Sequence, residues 1–188
     1  MRKLSLLICI LAFLLSGCKY FHKEDKESLK IYEDYINSTI NNKGIESVNI
    51  PFEYKMNVYK QKDKSYKYEI EIFNPQVAMY DIKAIAIDKN VDMNTNVFPC
   101  IGILGDDANN QYNMIPYQSR GEKGFIKMII LDAISTQKQF SVNVMVTWKD
   151  STLQEQSRVF FNCNFAEEKG DTQKGEKETS NSGTLNIE

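Results

Sequence analysis

Residues 50 to 166 predict an all-β domain, an antiparallel sandwich of about seven strands. Three observations carry that prediction. Apolar and polar residues alternate at period two through several short runs, the mark of strands with one buried face. Polar or proline-bearing turns separate the runs, and no segment of helical period stands between them as a crossover. The stretch is also close to the ~100-residue size of a seven-stranded sandwich. A short amphipathic helix is expected before the domain, and a disordered tail after it.

The helix is read from residues 28 to 41. Leu29, Tyr32, Ile36 and Ile40 recur at helical spacing, and Ile31 and Tyr35 broaden the stripe. Ser28 stands at the expected N-cap and Gly44 near the expected stop. Its polar face is not markedly basic, so the apolar face is expected to pack on the domain rather than lie on a membrane. Residues 19 to 27, a polar leader, read as a flexible tether.

The strands follow in order. Phe52, Tyr54, Met56 and Val58 alternate with Glu53, Lys55 and Asn57 in the first. After a polar connection at 61 to 65, Tyr66, Tyr68, Ile70 and Ile72 alternate with Lys67, Glu69 and Glu71. Asn74-Pro75 ends that second strand, since proline cannot donate to the ladder. The third, 79 to 88, is apolar on both faces after Lys83, which suits a central or bulged strand. Pro99 in the fourth, 97 to 104, argues for an edge or a bulge. Residues 105 to 123 form a connection long enough to need structure of its own, with 111 to 117 as an additional short strand. The fifth strand is placed at 125 to 131. In the sixth, Phe140, Val142, Val144, Val146 and Trp148 face inward, with Ser141, Asn143 and Thr147 outward. Lys149-Asp150-Ser151 turns the chain into the last strand, where Val159, Phe161, Cys163 and Phe165 share a face. From Glu167 to Glu188 apolar residues nearly vanish, so burial cannot offset the entropy of ordering.

Seven short antiparallel strands without crossovers describe an immunoglobulin-like sandwich by architecture. The immunoglobulin family itself places a tryptophan soon after the first cysteine; here Trp148 lies far from Cys100 and close to Cys163. Counting successive passes puts the loops at 74 to 78 and 105 to 123 at one end. The loops at 61 to 65, 88 to 96 and 132 to 138 fall at the other.

The N-terminus carries a separate signal. Arg2 and Lys3 precede an apolar run, Leu4 to Leu15, interrupted only by Ser5 and Cys9, and Leu15-Ser16-Gly17-Cys18 closes the segment. That is the layout of a secretory signal, shorter than the ~20 apolar residues of a spanning helix. Over residues 1 to 18 the chain resembles bacterial lipoproteins, whose lipobox Leu15-Ser16-Gly17-Cys18 fits. The resemblance implies cleavage before Cys18 by signal peptidase II, a thioether-linked diacylglycerol on Cys18, and usually an acylated amine. One acyl chain binds a membrane only reversibly, whereas two or three hold it firmly. The implied location is extracytoplasmic, lipid-anchored to the bacterial cell membrane, inner or outer in a Gram-negative envelope. The expected organisation is a signal peptide at 1–17, a lipidated tether and short helix at 18–49, the sandwich at 50–166 and the tail at 167–188.

Chemistry is bounded by absences in the sequence. His22 is the single histidine, four residues from Cys18, which removes Ser-His-Asp and Cys-His machinery and His-rich zinc sites. No GxSxG, HExxH or glycine-rich phosphate loop occurs, and no cofactor is expected. The signal takes two of the 23 basic residues and none of the 25 acids, moving the net charge from −2 to −4. Nothing concentrates basic charge as a nucleic-acid partner would require. Asp88, Asn90, Asp92, Asn94 and Asn96 place oxygen ligands at alternate positions, as calcium loops do. Met93 replaces the required glycine, however, and Pro99 the bidentate glutamate, so no metal is expected. Asp106 and Asp107 form a second acidic pair, about 20 Å from the first loop by strand rise.

Cys100 and Cys163 are the thiols left in the mature domain. An oxidising compartment permits a disulfide between them, and two buried free thiols are the alternative. Tyr112, Met114, Ile115 and Tyr117 are candidate partner contacts, because aromatic and methionine side chains favour interface cores; the competing expectation places partners at the membrane-distal loops. The reading is a membrane-anchored, non-catalytic binding or assembly module with an envelope protein partner. The alternatives are a metal-dependent envelope enzyme using Asp88, Asp92 or Asp106, and a solute-binding lipoprotein, whose two-domain forms need a longer chain.

Overall fold

The computed structural model describes residues 21–91, 97–119, 122–167 and 178–179. Cys18 and the signal segment, the 92–96 part of the Asp/Asn-rich loop, and most of the tail lie outside these residues. The chain forms a helix, α1 (Phe21–Asn41), followed by β1 (Glu53–Lys60), β2 (Tyr66–Phe73), β3 (Tyr80–Asp88) and β4 (Cys100–Ile101). A 3-10 helix (Gly105–Asn109) precedes β5 (Met128–Ser135), β6 (Gln139–Lys149) and β7 (Gln156–Ala166), and β8 is two residues, Glu178–Thr179. Two antiparallel sheets pack face to face, in the orders β5-β2-β1-β8 and β4-β3-β6-β7.

The period-two pattern translates directly into this packing. Tyr66, Tyr68, Ile70 and Ile72 of β2 are buried, facing Val142, Val144 and Val146 of β6 within one core. Aromatic rings close the β1–β7 side: Phe52 meets Trp148 and Phe161 edge-on at 6.3 and 6.0 Å, and Tyr54 stacks on Phe161 at 4.0 Å. Burying such rings contributes both area and preferred ring geometry. β3 is central, between β4 and β6, and its register shifts between Tyr80 and Lys83. It is therefore both of the things its two-faced apolar pattern suggested.

The second face of β3 and β6 is covered by α1. Ile85, Ile87 and Met145 pack with Tyr32, Phe98 and Ile103 in a separate apolar cluster. The Tyr32 hydroxyl accepts the Phe98 N–H at 2.7 Å, and the Tyr35 hydroxyl lies 2.6 Å from Thr147 Oγ1. Asn143 and Thr147, expected to face solvent, are accordingly buried; they face away from the main core but lie under the helix. α1 also begins earlier than expected, so residues 21 to 27 are helical rather than a flexible tether.

After α1 the chain reverses at Lys43 and Gly44, both at positive φ, and follows the outer edge of β7. Ser47 donates its N–H to the Phe160 carbonyl at 2.8 Å, and its Oγ accepts the Phe160 N–H at 2.9 Å. This covers what would be an open edge. The chain then crosses to the other sheet at Phe52.

Three expected elements change. The fourth strand shrinks to Cys100–Ile101, because Gly102 takes φ +69 and turns the chain away; a Cβ there would sit 2.8 Å from the Ile82 carbonyl oxygen. The additional strand at 111 to 117 reduces to isolated bridges, Met79 with Met114 and Asn113 with Phe125. The latter takes up Phe125 and Ile126, so β5 starts at Met128 and runs on to Ser135. Of the tail, Glu167 bonds the Lys138 carbonyl, and Glu178–Thr179 pairs with β1 at Asn57 and Met56.

Loop placement obeys the alternation of passes. Residues 74 to 79, 102 to 119, 122 to 127 and 150 to 155 share one end, here the Tyr117 end. The turns at 61 to 65 and 136 to 138 lie at the other, the Lys62 end.

Candidate functional site

Of the four candidate partner contacts, the structure offers only part. Met114 is fully buried in the main core, bonded both ways to Met79 through the backbone; it is not available to a partner. Tyr112 is half-buried and donates its hydroxyl to Asp107 Oδ1. Ile115 is half-buried and Tyr117 fully exposed. These two line a groove of 640 Å³ at the Tyr117 end, opposite Glu53, Asn74, Gln76 and Lys127. The bridge to Met79 turns Met114 inward, and Asn113 beside it is buried too, while the chain reaches the surface only toward Tyr117.

Asp88 and Asp107 serve the fold. Asp88 is buried, with Oδ1 accepting the Asn90 N–H at 2.9 Å and Oδ2 the Ser135 hydroxyl at 2.8 Å. Asp107 accepts the Gly102 N–H at 2.5 Å and the Tyr112 hydroxyl, closing the turn after β4. Asp92 and the Asp106 side chain lie outside what the structure describes. Among the described residues no group of three or more His, Cys, Asp or Glu side chains converges.

The disulfide between Cys100 and Cys163 is not formed. Both are free thiols, and the topology keeps them apart. Cys163 faces the main core, whereas Cys100 packs with the cluster beneath α1 on the opposite face of the same sheet. Their strands are also its two edges, three strand spacings or roughly 14 Å apart. A bridge requires Cα atoms within about 7 Å. Burial pushes the Cys163 thiol up to about 12, with Glu46 adding to it, and Cys100 up to about 11, with Asp107 adding.

A surface that the strand pattern did not single out lies on β5. One edge pairs with β2 along its whole length, Met128 opposite Phe73 through Ser135 opposite Tyr66. The other edge has no partner strand among the described residues. On the outer face Met128, Ile130 and Ile134 are all exposed, with Asp132 between them. The neighbouring row on β2 is charged, Lys67 bonding Glu69 at 2.6 Å and reaching Asp132 at 3.5 Å. Natural edges are ordinarily blunted by charge, proline or a bulge; this one presents eight residues, Met-Ile-Ile-Leu-Asp-Ala-Ile-Ser, with one charge. The signal present in the sequence is that Met128 to Leu131 is apolar at both parities. A strand with only one buried face must then expose half of them.

The arrangement offers backbone donors and acceptors in a row, flanked by apolar side chains, at the side of a rigid sandwich. The chain matches no family model, no curated protein and no solved structure.

Proposed function

We propose that this protein is a lipid-anchored, non-catalytic binding module of the bacterial envelope, held outside the cytoplasm by acyl chains on Cys18. The free β5 edge receives an extended segment of an envelope protein as an added strand. The observation that carries the reading is the apolar row Met128, Ile130 and Ile134 on an unpaired edge. Strand addition draws its affinity from main-chain hydrogen bonds and its selectivity from alternate side chains, and both are presented there. The strand order supports an immunoglobulin-like assignment: β1 and β2 pair, β2 pairs with β5, and β3, β6 and β7 run side by side, as A-B-E and C-F-G do in that architecture. Of the carboxylates that a metal-dependent enzyme would draw on, Asp88 has both oxygens engaged by the fold itself, whereas Asp92 and the Asp106 side chain lie outside the described residues.

Photo-crosslinkers at Ile130 and Ile134 in living cells test the edge, with Lys62 and Arg158 as comparison positions. Discrete adducts at the first pair are expected, and Ile130→Lys should abolish the adduct at Ile134. Adducts confined to Lys62 or Arg158 would remove the edge from consideration. The anchor is tested separately: labelled palmitate should enter the wild type and not Cys18→Ala.

A further inference from the structure

Two turns at the Tyr117 end place bulky apolar side chains where the backbone ordinarily demands glycine. Tyr117 comes directly after Pro116 in a turn and takes φ 56; Leu153 sits in the β6–β7 turn at φ 61, its N–H bonded to the Asp150 carbonyl at 3.0 Å. Left-handed backbone disfavours any side chain with a Cβ and is the usual place of Gly or Asn. Both side chains nevertheless stand out in solvent, Tyr117 fully and Leu153 about half (55%). Val77, in the third loop of that end, is exposed as well. The hairpin turns of the Lys62 end differ: residues 61 to 65 and 136 to 138 carry Lys62, Lys64 and Lys138 and no apolar side chain. Val97, in the loop after β3 at the Lys62 end, and Ile45 and Val48, in the segment between α1 and β1, are exposed as well, outside any hairpin turn.

The start of α1 lies at the same end. Tyr35 bonds Thr147, two residues before β6 ends, whereas Gly44 lies against Lys89 and Asn143, nearer the Lys62 end. The helix therefore crosses β6 obliquely, with its C-terminal end toward the Lys62 end. Its N-terminal half, which carries Leu29, lies toward the Tyr117 end. Leu29 is exposed too. Only two residues separate Cys18 from Phe21, so an anchor at Cys18 is at most about 10 Å of extended chain from the start of α1.

We propose that the Tyr117 end rests on the membrane itself, with Tyr117, Leu153 and Val77 inserted into the interfacial region of the lipid. The inference rests on the reading of Cys18 as the anchor. Tyrosine is favoured at that depth, its ring in the acyl boundary and its hydroxyl among headgroups. The contact is apolar rather than electrostatic: in the sequence of the loops of this end, Arg120, Lys123 and Lys127 are outnumbered by Asp106, Asp107, Glu122, Asp150 and Glu155. High salt therefore leaves it unchanged. Docked in this way the sandwich stands upright, its β5 edge running away from the membrane.

The full chain, recovered from bacterial membranes and reconstituted in phosphatidylethanolamine–phosphatidylglycerol vesicles containing doxyl-labelled lipid, provides the test. A fluorophore on Tyr117→Cys, Leu153→Cys or Val77→Cys should be quenched several-fold more than one on Lys62→Cys, at low and high salt alike. Equal quenching at all four positions, with palmitate still entering Cys18, would overturn the docking and leave the anchor standing. Protection of these labels without quenching by the doxyl lipid would indicate a second copy of the chain instead, and would also overturn it. Absence of palmitate from Cys18 would sink anchor and docking together. The double variant Tyr117→Gly/Leu153→Gly relieves both left-handed positions and so keeps the fold, with a melting temperature no lower than the wild type. In that background the Val77 label should fall to the level of Lys62. Quenching there that persists would show that these two side chains do not make the contact.

Discussion

Ser135 Oγ donates a 2.8 Å hydrogen bond to Asp88 Oδ2, tying the last residue of β5 to the last residue of β3 across the two sheets. Both residues are buried, so neither partner has water as a substitute. Ser135→Ala removes the donor and leaves a buried carboxylate oxygen without it. The expected cost is about 1–3 kcal/mol, read as a lower urea midpoint with an unchanged slope. A midpoint equal to the wild type would mean that this corner does not hold the sheets together.

The docking of α1 depends on a similarly dry bond. Tyr32→Phe keeps the ring but takes away the acceptor of the Phe98 N–H, which the tyrosine oxygen holds at 2.7 Å. A loss of about 1–3 kcal/mol is expected. Hydrogen exchange should quicken at the Phe98 amide more than at the Ile70 amide, deep in the β1–β2–β5 sheet. Uniform acceleration at both would place the damage in the whole fold rather than at the helix.

Cys100 and Cys163 should behave as inert thiols. Their upward-shifted pKa values, about 11 and about 12, leave almost no thiolate at pH 8, and the thiolate is the reactive form. The mature lipidated chain is expected to show no fast-reacting thiol when native and two when denatured without reductant. A count of zero after denaturation would reveal a bridge and contradict the topology.

Glu167 links β1 to the β5–β6 turn. Lys60 at 2.6 Å and Lys138 at 3.1 Å hold its carboxyl down to about 2 from an ordinary 4.5. A depressed folded-state value means that the stabilisation is fully present above pH 4.5 and is lost as pH falls through about 2. The site is exposed, so the effect is modest. Thermal melts of wild type and Glu167→Gln should differ by a constant small amount at neutral pH, converge below pH 4.5 and coincide near pH 2. A gap that widened on acidification would have the wrong sign for this arrangement.

What the sequence determined by itself was the inward face of each long strand. Tyr54 and Met56, Tyr66 through Ile72, Phe140 through Trp148 and Val159 through Cys163 are buried as their alternation required. The reason is local: a pleat sends successive side chains to opposite sides, whatever the strand packs against. The ends holding each loop were also legible, since antiparallel passes alternate and the 111 to 117 segment added no full strand to reverse the count.

Only the tertiary structure decided what covers the second faces. Asn143 and Thr147 read as solvent-facing until α1 lay over them, and Met145 is core for the same reason. Cys100 and Cys163 had compatible chemistry but incompatible positions, on opposite faces and opposite edges of one sheet. Met114 looked like an interface residue and is core, while Ile130, in a strand apolar at both parities, is surface. In each case the residue's chemistry is the same on both sides of a strand. Burial depends on whether another element occupies that side, and such an element comes from a part of the chain dozens of residues away.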